Sequence, residues 1–440
     1  MPHCSCGSGV PWCARADAIF NADDMHVLDV RRGHRKLVVT VETGAEVSGC
    51  PECGVLAVGH GRRRVSAADA PCFGVPVRIV WLKRIWRCAE TDCVAGTWSE
   101  AHPLIAPRAV LTSRAIGWAV DALAHDDTTV SALARHLKVD WHTLWNAVRG
   151  EAHRRTSDPN RARGVRTLGV DEHIWRPSHP DRDRAVTAMV DLTRDEQGRL
   201  HARLIDVVPG RSGVGYASWL KDQLPEFVAG IEHAALDPFR GYANAIRDEL
   251  PDAVAVLDAF HVVKLGTQVV DEVRRRVQQE TLHRRGHKHD PLYTIRGLLR
   301  HGAENLTARQ QARLEIGLRL GDPHGEVELA WQCYQQLRSA YRAKLPVEGR
   351  RIATKIIDTW RTCPIPEIAR LGRTLRQWRQ QVLAYFSTTG VSNGGTEAIN
   401  LLIEKTRRLA HGFRNFHNYR LRILLVADGS RPYRERPNHA

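Results

Sequence analysis

Val165-Arg-Thr-Leu-Gly-Val-Asp-Glu-His-Ile174 is an apolar run with two adjacent carboxylates at its far end. Its β-branched and glycine content and its boundary at the basic stretch Arg154 to Arg166 predict a strand. A carboxylate inside such a strand costs free energy unless something compensates for its desolvation. Alternation along a strand puts Asp171 and Glu172 on opposite faces, so one of them faces any site built there. Two further strands, Arg184 to Leu192 and Leu200 to Val208, follow over short polar connections and predict an antiparallel meander. Beyond them helix and strand alternate: a helix around Tyr216 to Val228, a strand ending at Asp237, a helix from Tyr242 to Leu250 and a strand from Ala253 to Leu257. That order predicts a mixed sheet inside a multidomain α+β chain.

Three carboxylates stand out. Asp171 lies in the first strand, Asp237 closes Ile231-Glu-His-Ala-Ala-Leu-Asp237, and Glu397 sits in the first turn of the helix Thr396-Glu-Ala-Ile-Asn-Leu-Leu-Ile403, after the glycine-rich Ser392-Asn-Gly-Gly395. Strand ends are where sites assemble in open sheets. Phosphodiester transfer needs two cations about 4 Å apart held by carboxylates on rigid elements, and hard oxygen ligands suit magnesium. Each residue also has a plainer reading: a glutamate in a first helical turn complements the helix dipole, and an aspartate after a strand serves a turn or cap. Asp191, Asp206, Asp258 and Glu172 are competing carboxylates that spacing does not separate from these three.

From Val262 to about Phe386 the apolar period is helical almost throughout, and one amphipathic helix is expected from Thr396, followed by a polar tail after Asp428. Upstream, Val38 to Trp98 carries short alternating runs of a small β-rich module. Within it Cys50-Pro-Glu-Cys53 is followed, 35 positions after its second cysteine, by Cys88-Ala-Glu-Thr-Asp-Cys93. Two close thiolate pairs suit one structural tetrahedral zinc ion, and a module this small is expected to draw much of its folding free energy from it. Cys72, Cys333 and Cys363 read as small buried hydrophobes. Thr128 to Arg149 reads as two short helices joined at Lys138 to Asp140, with Asp140 the N-cap of the second. As a helix-turn-helix it would present Trp141, His142, Thr143 and Asn146 to bases and Arg135 and Arg149 to phosphates, although helical hairpins that bind nothing share this spacing.

Lysine and arginine outnumber the acids by 64 to 49, a formal charge of +15 that favours polyanions, and most of the cations are arginine. The basic segment Arg274 to His301 offers either a grip on DNA backbone or a solvated helical face. No apolar stretch approaches the roughly 20 residues needed to cross a bilayer, and the first residues show no signal-peptide pattern. A protein of the cytoplasm with no membrane partner is therefore expected, its ten cysteines reduced or metal-bound.

The chain resembles the bacterial insertion-sequence transposases of the ISL-three type. The resemblance rests on the two cysteine pairs, on Gly169-Val-Asp-Glu172, Leu236-Asp-Pro-Phe-Arg-Gly-Tyr242, Leu257-Asp-Ala-Phe-His-Val-Val-Lys264 and Ser392-Asn-Gly-Gly-Thr-Glu397. It implies a ribonuclease-H-like core interrupted by an all-helical insertion, and an Asp-Asp-Glu triad on Asp171, Asp237 and Glu397 that holds two Mg2+ (or Mn2+) ions. Asp258 and His261 fall on the family's accessory Asp-x-x-His signature. The partition expected is a flexible leader (1–24), the zinc-binding module (25–105), the helix-turn-helix domain (106–153), the core (164–262), the insertion (263–388), the final core helix with the glutamate (389–428) and a tail (429–440). The implied activity is DNA transposition: binding the terminal inverted repeats of an element, cutting there and joining the freed ends to target DNA. Double-stranded DNA, at least a homodimer on it, and a place at the bacterial nucleoid follow by the same analogy. A catalytically silent DNA-binding regulator and a ribonuclease-H-like nuclease that cuts without strand transfer are the alternatives.

Overall fold

Two long strands, of 15 and 13 residues, dominate the first unit. The computed structural model describes residues 13–44, 47–176, 184–388 and 390–430. After helix α1 (Ala14–Phe20) come β1 (Met25–Gly33), β2 (Lys36–Thr43), β3 (Val58–Cys72), β4 (Val75–Arg87) and β5 (Thr97–Ser99). They form one sheet in the order β1-β2-β4-β3, with β5 on β4. Phe73 and Gly74, at φ 50° and 74°, make the tight turn between β3 and β4, where a right-twisted hairpin needs two left-handed residues. Met25, Val41, Ile79 and Trp81 are the centre of its core. The leader departs from expectation: residues 14–20 are a helix whose Phe20 is buried in that core, and Asp17 accepts from the Val27 backbone at 2.6 Å. A helix of two turns shows too little periodicity to register in sequence, and docking rather than propensity holds it. The rest of the leader, residues 1–12, lies outside the described residues, as do residues 431–440 of the expected tail.

Helices α2 (Ser113–His125), α3 (Val130–Leu137) and α4 (Trp141–Thr156) start at Thr112, Thr129 and Asp140, each of which accepts a backbone N–H with its side chain. Lys138 takes the left-handed conformation that ends α3, and Asp140 caps α4 as the sequence predicts. These helices share a core with Ala68 of β3 and with Leu421 and Leu425 near the C-terminal end. Arg422 fixes that contact by donating to the Leu123 and Thr128 carbonyls at 2.6 and 2.9 Å.

The second sheet contains β6 (Thr167–Ile174), β7 (Ala185–Asp191), β8 (Arg203–Pro209), β9 (His233–Leu236) and β10 (Val254–Leu257), with α5 (Gly213–Lys221), α6 (Pro225–Ala229) and α7 (Arg240–Glu249) interleaved. Its order is β10-β9-β6-β7-β8. The β6–β7–β8 meander is antiparallel, whereas β9 lies parallel to β6 and β10 parallel to β9. Every residue of β7 is buried because the sheet is covered on both faces. Met189 points to the side of Tyr216, Trp219 and Tyr242, while Ala188 and Val190 point to Ile399, Ile403 and Tyr419.

Then come α8 (Ala259–Leu282), α9 (Pro291–Thr294), α10 (Ala308–Gly321), α11 (Glu326–Arg342), α12 (Pro346–Thr359), α13 (Pro366–Gln377) and α14 (Arg379–Ser387), and finally α15 (Gly394–Leu409) and α16 (Phe416–Val426). The single closing helix expected from sequence is thus two, broken where His411 and Gly412 turn left-handed at φ 54° and 90°. Part of the basic segment from Arg274 is committed internally: Arg274 is buried against Asp271 and Gln278, and Arg276 joins Glu326 and Glu367. Among the described residues no helix is long and apolar enough to cross a membrane.

Candidate active site and metal centre

Strands β6 and β9 run parallel with Val170 opposite Leu236, so Asp171, within β6, comes beside Asp237, the residue that follows β9. This is where an open sheet with crossover helices leaves a crevice. Both aspartates are 8% exposed. Burial, and then the charge of Asp237, push the Asp171 carboxyl up to about 7. Asp171 accepts from Asn400 Nδ2 at 2.8 Å and from the Glu172 backbone at 2.7 Å. Glu172 pairs with Arg211 at 2.9 Å instead, the opposite-face arrangement that alternation predicts.

Asp258 ends β10 and caps α8, accepting the His261 N–H at 3.0 Å and the Asn393 N–H at 2.8 Å. His261 Nδ1 stands 3.0 Å from Asp258 and 3.0 Å from Asp237. Burial opposes charge on this ring, but the two carboxylates outweigh it and push its pKa up to about 10. The ligand-type atoms of Asp237, Asp258 and His261 all lie within 4.8 Å of one another. Glu397 stands apart from that cluster: it is exposed in the first turn of α15, three residues before Asn400 and so on the same face of the helix.

Two asparagines do work that the sequence did not assign. Asn393 is 2% exposed and donates its side-chain amide to the Val170 carbonyl at 3.1 Å, with Asp237 at 3.5 Å. Asn400 ties α15 to Asp171. Ser392-Asn-Gly-Gly395 was a usable signal, since a buried asparagine before glycines at a helix start marks a close backbone approach. The partner in that approach is Gly169, where a Cβ would lie 2.6 Å from Asn393 Oδ1 and 2.7 Å from Thr396 Oγ1. Gly169→Ala is expected to cost about 1–3 kcal/mol by overpacking and to lower activity by moving α15 off β6; an unchanged thermal midpoint would contradict this contact. Of the competing carboxylates, Asp191 holds Arg203 at 2.8 Å and Asp206 holds Arg420 at 2.6 Å, both away from this cluster.

In the N-terminal unit Cys50 Sγ lies 3.6 Å from Cys93 Sγ and Cys53 Sγ 3.5 Å from Cys88 Sγ, with all four sulfurs within 4.8 Å. Bonds of about 2.3 Å to a tetrahedral zinc ion place sulfurs roughly 3.8 Å apart, so the set fits. On α4, Trp141, His142 and Asn146 are exposed, as is Arg149, while Leu144, Trp145 and Val148 are buried. Thr143 is half-buried and gives its hydroxyl to Asp140. Arg135 is exposed on α3.

Three family models match the chain in the same order as these units. A family described as transposase matches residues 168–423, more than half of the 440-residue chain. The helix-turn-helix domain of transposase family ISL3 matches residues 100–150, and the zinc-finger of transposase IS204/IS1001/IS1096/IS1165 matches residues 46–93. No curated protein matches. The solved Drosophila P element transposase strand transfer complex is similar at a TM-score of 0.36 and 12% identity, over 71% of this chain and 91% of that one. With the transposase, helix-turn-helix and zinc-finger regions in register with the three units of the structure, the chain belongs to the ISL3 family of DNA-binding transposases.

Proposed function

We propose that this transposase is of the Asp-Asp-Glu type, cutting DNA at the ends of an insertion sequence and joining them to target DNA. The observation that supports this most is that Asp171 on β6 and Asp237 at the end of the adjacent β9 are close enough for the charge of Asp237 to raise the Asp171 carboxyl, with Asn400 of the Glu397-bearing helix bonded to Asp171. The order β10-β9-β6-β7-β8, three antiparallel strands beside two parallel ones, is consistent with a ribonuclease-H-like core, and α8 to α14 with a helical insertion before the last core helices.

The residues present fit a hard dication. Asp171 and Asp237 are buried carboxylates whose mutual repulsion already disfavours charge on one of them, and the buried Asn400 Oδ1 has no hydrogen-bond partner among the described residues. Asp171, Asp237 and Glu397 would hold two Mg2+ or Mn2+ ions. Bound there, such ions supply activation of the attacking oxygen and stabilisation of the leaving oxygen. Asn400 aims the Asp171 carboxylate, Asn393 fixes α15 to the end of β6, and Asp258 orients His261 toward Asp237. His261 and Asp258 are positioning residues in this reading. Strand transfer with purified protein, end-sequence DNA and magnesium tests it: Asp237→Asn and Glu397→Gln should each remove activity while sparing end binding. Full activity in either variant would strike that residue from the set.

The cysteine module, with one structural zinc ion, and the helix-turn-helix bind the inverted repeats, α4 entering the major groove. At least two copies act on paired ends, inside the cell at the nucleoid. Asn146→Ala is expected to weaken binding to the end sequence by about 1–3 kcal/mol and leave arbitrary duplex unaffected. Arg149→Ala should weaken both equally. Competition binding against the two duplexes separates these outcomes.

A further inference from the structure

We infer that the basic stretch of the β3–β4 ribbon is a second DNA-backbone site, separate from the helix-turn-helix, that grips duplex phosphates through Arg63 and Arg64. This deepens the proposed end binding and rests on it. The register places Arg62 opposite Arg84 and Arg63 opposite Lys83. Like charges directly opposed across antiparallel strands are destabilising, so a chain that carries two such pairs in succession gives up stability there. Glu42 compensates for the first pair, lying 3.0 Å from Arg62 and 3.9 Å from Arg84. In the second, Lys83 is buried over the Trp81 ring at 4.8 Å, and burial and then Arg63 push its ammonium below the usual lysine range, with Glu100 only partly opposing them. Arg63 and Arg64 are exposed and form no ion pair with any described residue. Arg63 and Arg64 lie on opposite faces of β3, the edge strand of the sheet, so a polyanion laid along that edge meets both guanidinium forks and offsets the Arg63–Lys83 repulsion.

The ribbon is also held rigidly at both ends. One end runs into the four-cysteine cluster, with β4 stopping at Arg87 immediately before Cys88. At the other, Ala68 enters the helix-turn-helix core and Asp69 accepts from Thr112 at 2.6 Å. At about 3.4 Å per residue, Arg64 and Arg63 lie roughly 13–17 Å along the strand from Ala68. That offset reaches phosphates beyond those under α4, with little conformational freedom left to lose on binding.

The test is the salt dependence of binding by the full zinc-loaded protein to a fluorescent 40-base-pair duplex of arbitrary sequence, since backbone contacts carry no sequence. Losing two phosphate contacts lowers the log–log salt slope by about 1.8, so between 50 and 200 mM salt the parent should lose roughly tenfold more affinity than Arg63→Ala/Arg64→Ala. Arg63→Lys/Arg64→Lys should restore the slope. Zinc content should match the parent in both variants and the thermal midpoint should not fall below the parent's, which excludes a folding defect as the cause. If the alanine pair kept the parent slope while Arg135→Ala/Arg149→Ala lowered it, the ribbon site would be refuted and the helix-turn-helix reading would stand. A parent that bound no duplex at any salt would overturn both.

Discussion

Asp171→Asn is expected to lower strand transfer by roughly a thousandfold or more and, in the absence of divalent metal, to raise the thermal midpoint. The two effects share one cause. A carboxylate 8% exposed beside Asp237 pays for a negative charge that only a cation makes useful. An asparagine of the same shape keeps the packing, carries no charge and can donate to Asp237. The sign follows from proton binding. Asp171 has a raised carboxyl pKa in the folded chain, so between the ordinary aspartate value of about 4 and its folded value of about 7 the folded state binds more protons than the unfolded one. Its destabilising contribution is therefore absent below that window and grows as pH rises through it. Melting curves in EDTA at pH 5 and pH 8 should differ less for Asp171→Asn than for the parent, with the variant the more stable at pH 8. Added Mn2+ should raise the midpoint of the parent and leave the variant nearly unmoved. Activity within tenfold of the parent, or a variant less stable at pH 8, would remove Asp171 from the metal site.

How much of this was readable beforehand depends on which interactions are local. The strand Thr167–Ile174 and its meander follow from residue content and short polar connections, the alternation of Asp171 and Glu172 from strand geometry, and Asp140 as a cap from one residue and its neighbours. Asp171 and Asp237 meet because of a parallel register between strands more than sixty residues apart, which no local pattern encodes. Asn393 and Asn400 were quoted in motifs but given no part, since an asparagine acquires one only when a carbonyl or carboxylate from another element reaches it. Glu172 pairs with Arg211 on the other face of β6, again a tertiary fact. The helix at Ala14–Phe20 was missed because seven residues carry too short a period, and the break at His411–Gly412 because the apolar pattern resumes on its far side. The basic segment was half misread: a run of arginines looks the same whether its forks meet phosphate or, as with Arg276, glutamates of neighbouring helices.

Cys88→Ser is expected to abolish zinc binding and unfold the knuckle and the outer ribbon, leaving the rest of the N-terminal sheet folded. The module as a whole does have a core, around Met25, Val41, Ile79 and Trp81, so the metal carries less of its folding than the large share expected from its size in sequence. The knuckle does not share in it: Leu56 is 63% exposed and Val94 89%. With so little apolar surface removed from water there, metal ligation, on the order of 10 kcal/mol in small zinc modules, is the dominant restraint. Serine cannot supply the fourth thiolate, and Cys88 is itself buried. Hydrogen exchange should therefore show amide protection lost across residues 47–64 and 84–99 and retained in β1, β2 and the inner half of β4. Metal analysis should read one zinc per parent chain and none per variant chain. Duplex binding should fall with the ribbon, because Arg63 and Arg64 lose the fixed end that holds them in line, while the melting transition of the catalytic unit stays in place. A variant that kept its zinc, or one that lost it and kept full protection at Val58 to Arg64, would show that apolar packing suffices there and that the four sulfurs are not a metal site.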